Sequence, residues 1–105
     1  MLRRVLRLDG YRVTLFSSGD ALLAALSAQM PACVVLDVHM PRLSGFGVLS
    51  RLRETGAEAP AIFITASDDR SLDQSVAEAG GIALLRKPFT SHDLLAAVRD
   101  ALQGR

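Results

Sequence analysis

The sequence has few of the features that mark secreted, metal-stapled or membrane-spanning proteins. Cys33 is the only cysteine among 105 residues, which excludes a disulfide framework and a cysteine-rich zinc site. No apolar run approaches the length of a membrane span, and the N-terminus lacks the apolar core of a secretory signal. These absences indicate a reducing compartment, and we expect a cytoplasmic location without a membrane partner.

The sequence also has little excess charge of either sign. Twelve Lys and Arg residues face eleven Asp and Glu residues, which leaves a formal net charge of +1. Arginines crowd the start of the chain at Arg3, Arg4, Arg7 and Arg12, but no aromatic residues are interleaved with them. That pattern is typical of a solvated helix face, so we expect no direct binding of nucleic acid.

What the sequence does contain is a regular alternation of helical and strand patterns. Half of the residues are hydrophobic and 22% are charged, a composition typical of one globular domain. The predicted order is α-β-α-β-α-β-α-β-α, which indicates an α/β fold with a parallel sheet. The predicted strands are 11–16, 32–36, 61–65 and 82–85, and the predicted helices are about 2–9, 17–30, 46–53, 68–79 and 90–102.

Cap and stop residues set several of these boundaries. Thr90 with Asp93 predicts the start of the last helix, and Ser17 with Asp20 predicts the start of the second. Glycines at 10, 56 and 80–81 are expected to end helices. Leu22, Leu23, Leu26 and Met30 are predicted to form the buried face of the second helix.

Polar side chains end three successive apolar strands. Asp37, Thr65 and Lys87 each stand where a predicted strand stops. Taken singly they are ordinary, because such positions commonly hold a turn carboxylate, a β-branched strand residue or a solvated lysine. Carboxyl ends of parallel strands meet at one edge of the sheet, where ligands bind. The set therefore predicts a site for covalent or ionic handling of a phosphoryl group.

Further motifs accompany these three residues: the Met40-Pro41 turn and the Ser44-Gly45 pair after Asp37, Ala66 after Thr65, and Pro88-Phe89 after Lys87. In this order the set resembles one protein family, the receiver domains of bacterial response regulators. The resemblance covers about residues 2–102 and implies a flavodoxin-like doubly wound sheet of strand order 2-1-3-4-5, with 1–105 as one receiver domain.

The resemblance also implies a role for each site residue. Asp37 is expected to accept the phosphoryl group, and Lys87 to pair with the phosphoryl oxygens. The Thr65 hydroxyl and the backbone N–H of Ala66 are expected to bind the phosphate. The backbone carbonyl of His39 and the Asp37 carboxylate are expected to be ligands of Mg²⁺. The implied partners are a histidine kinase or phosphotransfer protein and a downstream protein, with a dimer as one expected assembly. Such a module is not a turnover enzyme.

The sequence departs from the family pattern in two places. The implied first strand and its pair of metal-binding acids are absent, and Asp9 cannot replace them because it follows the first helix. Leu84 stands where the resemblance implies an aromatic residue that moves on activation.

The missing strand would be central, between 11–16 and 32–36. About five apolar residues at roughly 1.5–3 kcal/mol each amount to on the order of 10 kcal/mol, comparable to a domain's stability. We therefore expect one of three arrangements. The strands at 11–16 and 32–36 pair directly, a second chain fills the gap, or the chain is N-terminally incomplete and begins at an internal Met.

Two other functions stay open. The absent acids favour a pseudo-receiver that docks proteins without phosphorylation, whereas Asp37, Thr65 and Lys87 oppose it. A phosphatase resembling the haloacid dehalogenase family would also use a strand-terminal aspartate, but it needs an acid two residues later, where this chain has His39. His39 and His92 lack metal-ligand spacing, and Gly45-Phe46-Gly47 lacks the third glycine of a dinucleotide loop.

Overall fold

A parallel sheet of three strands runs through the described part of the chain, in the order β1-β2-β3. The computed structural model describes residues 2–14, 16, 18–26, 30–40 and 43–103. The strands are β1 (Val34–Asp37), β2 (Ala61–Thr65) and β3 (Ala83–Arg86). The helices are α1 (Leu2–Leu8), α2 (Gly19–Leu26), α3 (Gly45–Glu54), α4 (Ser71–Ala79) and α5 (Ser91–Leu102). None of the helices in these ranges has the length and apolar character needed to cross a bilayer.

The central strand β2 organises the core on both faces of the sheet. All five of its residues are buried, which explains why its sequence is a continuous apolar run instead of an alternating one. Phe63 packs on one face among buried side chains of α3 and α4, including Val48, Leu49, Leu52 and Val76. Ile62 faces the opposite cluster with Leu6 of α1 and with Leu94, Ala97, Val98 and Ala101 of α5.

Two helix pairs flank the sheet. Helix α2 packs on α3, and α1 packs on α5. Leu22, Leu23 and Leu26 lie against the core as predicted. Just after α1, the Asp9 carboxylate forms an ion pair with Arg99 of α5, with an O–N distance of 3.0 Å. The first and last helices are therefore held together by an apolar cluster and an ionic contact.

Of the four predicted strands, the one at 11–16 is not confirmed. Residues 11–14 and Phe16 have no strand conformation, and Leu15 lies outside the described residues. A strand needs backbone hydrogen bonds to a neighbouring strand, but the Tyr11 N–H donates instead to the carbonyl of Leu6 at 3.1 Å. Direct pairing of 11–16 with 32–36 is therefore wrong for the described residues, where β1 pairs with β2.

Other boundaries differ from the prediction for local reasons. Ser17 lies outside the described residues, and the Ser18 hydroxyl accepts the N–H of Ala21 at 3.1 Å. Met30, expected on a buried face, is 49% exposed. Helix α4 begins at Ser71 instead of 68, because the Asp69 carboxylate accepts the Ser71 N–H at 2.9 Å and forms a turn ahead of the helix.

The last helix begins as predicted. The Thr90 hydroxyl accepts the N–H of Asp93, and the Asp93 carboxylate accepts the N–H of Thr90, so the capping box is confirmed. Gly80 ends α4 with a φ of +92°, a left-handed conformation that glycine adopts without steric cost.

Gly45 lets the start of α3 approach β1 closely. Its N–H donates to the Val38 carbonyl at 3.2 Å, while the Ser44 hydroxyl caps the helix by accepting the N–H of Gly47. A Cβ at position 45 would overlap the carbonyl oxygen of Asp37 and lie 3.1 Å from the Phe63 ring. Backbone cannot move aside as a flexible side chain can, so this approach requires glycine.

We expect Gly45→Ala to lower the free energy of unfolding by about 1–3 kcal/mol, the usual cost of overpacking. Urea unfolding followed by circular dichroism measures the change. Gly47→Ala is the matched control, because a Cβ there meets the flexible Leu43 side chain and alanine favours the helix. Equal effects of the two substitutions would contradict the close approach at Gly45.

Cys33 precedes β1 as a partly buried thiol. Burial raises its pKa to about 11, because desolvation disfavours the thiolate. We expect native protein at pH 8 to react with a thiol reagent at least tenfold more slowly than urea-unfolded protein, because the thiolate is the nucleophile.

The same shift predicts a pH dependence of stability. The thiol binds its proton more tightly in the folded state, so its contribution is present below the unfolded pKa of about 8.5 and is lost as pH rises toward 11. Urea melts of the parent and of Cys33→Ala between pH 7 and 10.5 test this. The parent should lose more stability than the variant over that range, and parallel curves would contradict the shift.

Candidate functional site

Asp37 ends β1 at the carboxyl edge of the sheet. One carboxylate oxygen, Oδ1, accepts the N–H of His39 at 3.0 Å, which fixes the side chain across the turn. The other, Oδ2, lies 3.5 Å from Nζ of Lys87. The Asp37 side chain is 33% exposed, so this carboxylate is held in place while one side remains open to an incoming group.

Lys87 follows β3 directly and reaches back over the edge of the sheet. Its N–H donates to the carbonyl of Thr65 at 2.7 Å, which extends the pairing of β3 with β2 by one residue. The Lys87-Pro88 peptide bond is cis. The sheet therefore brings together a carboxylate and an ammonium group that are 50 residues apart along the chain.

Thr65 ends the strand between them. It is fully buried, and its hydroxyl accepts the N–H of Ser67 at 3.0 Å. Ala66, the next residue, is exposed. Within the described residues no hydrogen bond joins the Thr65 hydroxyl to Asp37, so the structure brings Asp37 and Lys87 into contact and places Thr65 on the intervening strand.

The Asp37–Lys87 ion pair is suited to chemistry more than to stability. Both side chains are partly exposed, at 33% and 47%, and such pairs contribute about 0–1 kcal/mol to folding. A phosphoryl group attached to Oδ2 would instead lie beside a fixed ammonium group. Positioned cations of this kind stabilise the charge that develops during phosphoryl transfer.

The described residues do not fit a complete magnesium site. Mg²⁺ prefers six oxygen ligands in near-octahedral geometry, and the predicted set here is Asp37 with the carbonyl of His39. No group of three or more His, Cys, Asp or Glu side chains is arranged to hold a metal ion in the described part of the chain. Asp9 forms an ion pair with Arg99 of α5 instead of lying in such a group.

Sequence reasoning missed two residues next to this edge. Ser67 donates its N–H to the Thr65 hydroxyl, and Arg86 binds Asp73 of α4. The basic pair Arg86-Lys87 at a strand end was the available signal, because neighbouring strand residues point to opposite faces. Pro41, part of the predicted Met40-Pro41 turn, lies outside the described residues.

Known proteins resemble this chain in both sequence and fold. Residues 1–99 match the response regulator receiver domain family. The response regulator protein TmoT of Ectopseudomonas mendocina is 39% identical over 102 residues, covering 97% of this chain and 46% of TmoT. The response regulator MprA of Mycolicibacterium vanbaalenii is 41% identical, covering 97% of this chain and 44% of MprA. The chain thus spans less than half the length of these relatives.

Solved structures agree on the fold. The receiver domain of NtrX from Brucella abortus superposes with a TM-score of 0.92 at 24% identity, covering 99% of this chain and 88% of that one. The chemotaxis protein CheY4 of Vibrio cholerae superposes with a TM-score of 0.89 at 25% identity, covering 97% and 87%. With its sheet edge, its Asp37–Lys87 pair and these matches, the chain belongs to the response regulator receiver domains of two-component signal transduction.

Proposed function

We propose that this receiver accepts a phosphoryl group on Asp37 from a histidine kinase or phosphotransfer protein, and signals to a downstream protein through a change of surface. The observation that carries the proposal is the 3.5 Å contact between Asp37 Oδ2 and Lys87 Nζ across the edge of the sheet. This chemistry belongs to a signalling module that works beside a cytoplasmic kinase.

The bonds that change in the transfer lie between the phosphoryl group, the donor and the Asp37 carboxylate. A carboxylate oxygen attacks phosphorus of the donor's phosphohistidine, a P–O bond forms, and the P–N bond breaks. Its electron pair stays on the imidazole nitrogen, which takes up a proton from solvent. Lys87 neutralises the phosphoryl oxygens as their charge spreads. The His39 N–H keeps the attacking side chain oriented through Oδ1.

The signal follows from the charge that the transfer adds. An acyl phosphate brings roughly two negative charges to the site, which attract the Lys87 ammonium and offer acceptors to the Thr65 hydroxyl and the Ala66 N–H. The Thr65 hydroxyl accepts the Ser67 N–H now, and rotation of this side chain toward the phosphoryl group would exchange that bond for one that the hydroxyl donates. This exchange biases a two-state equilibrium of the surface formed by α4, β3 and α5.

Magnesium would supply further charge neutralisation for this reaction, as it typically does in receiver domains. The described residues offer Asp37 and the His39 carbonyl as ligands, so Mg²⁺ binding by this chain is expected to be weak. We expect phosphorylation by a small phosphodonor to be slow and to keep rising with Mg²⁺ concentration into the millimolar range. Intact-mass spectrometry at several Mg²⁺ concentrations measures the labelled fraction.

The same experiment decides between a phosphoacceptor and a docking module. A mass increase of one phosphoryl group that disappears in Asp37→Asn supports the proposal. The specific observation favouring the alternative is that the described residues include no group of three or more His, Cys, Asp or Glu side chains able to hold a metal ion. Absence of label from the small donor at every Mg²⁺ concentration would favour the phosphorylation-independent pseudo-receiver.

Replacing Lys87 should change the rate at which Asp37 is phosphorylated much more than it changes the free energy of unfolding. We expect Lys87→Ala to slow labelling of Asp37 by roughly tenfold or more, because it removes the ammonium group beside the reacting oxygen. The free energy of unfolding should change by less than about 1 kcal/mol, since the ion pair is partly exposed. Labelling time courses and urea melts of the same preparations provide both numbers. An unchanged labelling rate would exclude Lys87 from the site.

A further inference from the structure

We infer that Arg86 is a positioning residue that orders the segment 66–70 for phosphoryl binding at Asp37 and links it to α4. The inference rests on the proposed function. It concerns a residue on the opposite face of β3 from the site, and it starts from the pairing of Arg86 with Thr65 in the sheet.

The side chains of Arg86 and Lys87 diverge because they are neighbours on an extended segment. Lys87 reaches Asp37 on β1, whereas the Arg86 guanidinium reaches α4. Its Nη1 and Nη2 donate to the two carboxylate oxygens of Asp73 at 3.2 and 3.1 Å. This is the two-pronged geometry that distinguishes arginine from lysine.

The guanidinium also holds the segment before α4. Nη2 donates to the backbone carbonyl of Asp69 at 2.7 Å, a shorter distance than those to Asp73. Arg86 thus ties together the strand that leads to Lys87, the segment that carries Ala66, and the first turn of α4.

A chain of hydrogen bonds leads from Thr65 to the same point. The Thr65 hydroxyl accepts the Ser67 N–H at 3.0 Å, and the Ser67 hydroxyl accepts the Asp69 N–H at 3.1 Å. The Asp69 carboxylate then accepts both the N–H and the hydroxyl of Ser71 at the start of α4. A rotation of the Thr65 side chain toward a phosphoryl group would perturb the first bond of this chain. Arg86 then holds the far end of the segment in place.

Stability alone does not account for this arrangement. The Arg86 side chain is 31% exposed and that of Asp73 is 61% exposed, and ion pairs at that exposure contribute little to folding. The guanidinium also binds the Asp69 backbone carbonyl, a contact to the segment before α4 that the ion pair with Asp73 does not require. The contacts therefore fit the ordering of a segment better than the support of a core.

Phosphorylation kinetics and amide exchange test the inference together. We expect Arg86→Ala and Asp73→Ala to slow labelling of Asp37 by a small phosphodonor roughly threefold to tenfold, with an unfolding midpoint close to that of the parent. The double variant should be labelled no more slowly than the slower of the two single variants, because each single substitution already removes the Arg86–Asp73 ion pair. Arg86→Lys should recover only part of the rate, since it restores the charge without the fork.

The labelling rate of Asp37 is the readout that a purely structural ion pair would leave unchanged, and amide hydrogen exchange of 66–70 shows whether Arg86 orders the segment. Exchange there should accelerate in Arg86→Ala and stay unchanged in Arg70→Ala, an exposed arginine of the same segment for which the described residues show no ion pair. Parental labelling and parental exchange in Arg86→Ala would overturn the inference. If the parent takes no label at all, the proposed function fails. The exchange comparison still decides whether Arg86 orders the segment.

Discussion

The register of three parallel strands is the constraint on which the site depends. Asp37 lies opposite Ile64, and Thr65 lies opposite Arg86. Lys87 comes one residue later and faces β1. A slip of one residue between β2 and β3 would reverse every side chain of β3, turning Arg86 toward the carboxylate and Lys87 toward α4. The buried apolar side chains of β2 on both faces of the sheet fix this register, so the core determines which cation reaches Asp37.

Stability and chemistry are carried by different residues in this domain. Phe63, Ile62 and Leu94 are almost completely buried, and each apolar side chain of this kind contributes about 1.5–3 kcal/mol. Asp37 and Lys87 remain partly exposed and contribute little to folding. The side chains of the site can therefore move or be replaced with little effect on the packing of the core.

The sequence was most informative where the relevant interaction is local or follows from strand order. Apolar runs and strand ends predicted the Asp37–Lys87 contact, and the Thr90–Asp93 pair predicted the start of α5. Non-local interactions were not predictable. The described residues of 11–16 have a strand composition but pair with no described strand. One local interaction was also missed, because Asp69 forms a turn with Ser71 ahead of α4. The ion pair between Arg86 and Asp73 forms only in the folded domain, and no periodic pattern in the sequence predicts it.

The contact between the two ends of the described chain has a consequence for biosynthesis. Leu6 belongs to the cluster formed by α5, and Asp9 binds Arg99, which lies 90 residues later. Helix α1 therefore cannot complete its packing until α5 has left the ribosome. Contacts of such wide sequence separation slow the folding of a domain, so α1 is made well before α5 but is among the last of the described helices to reach its final position.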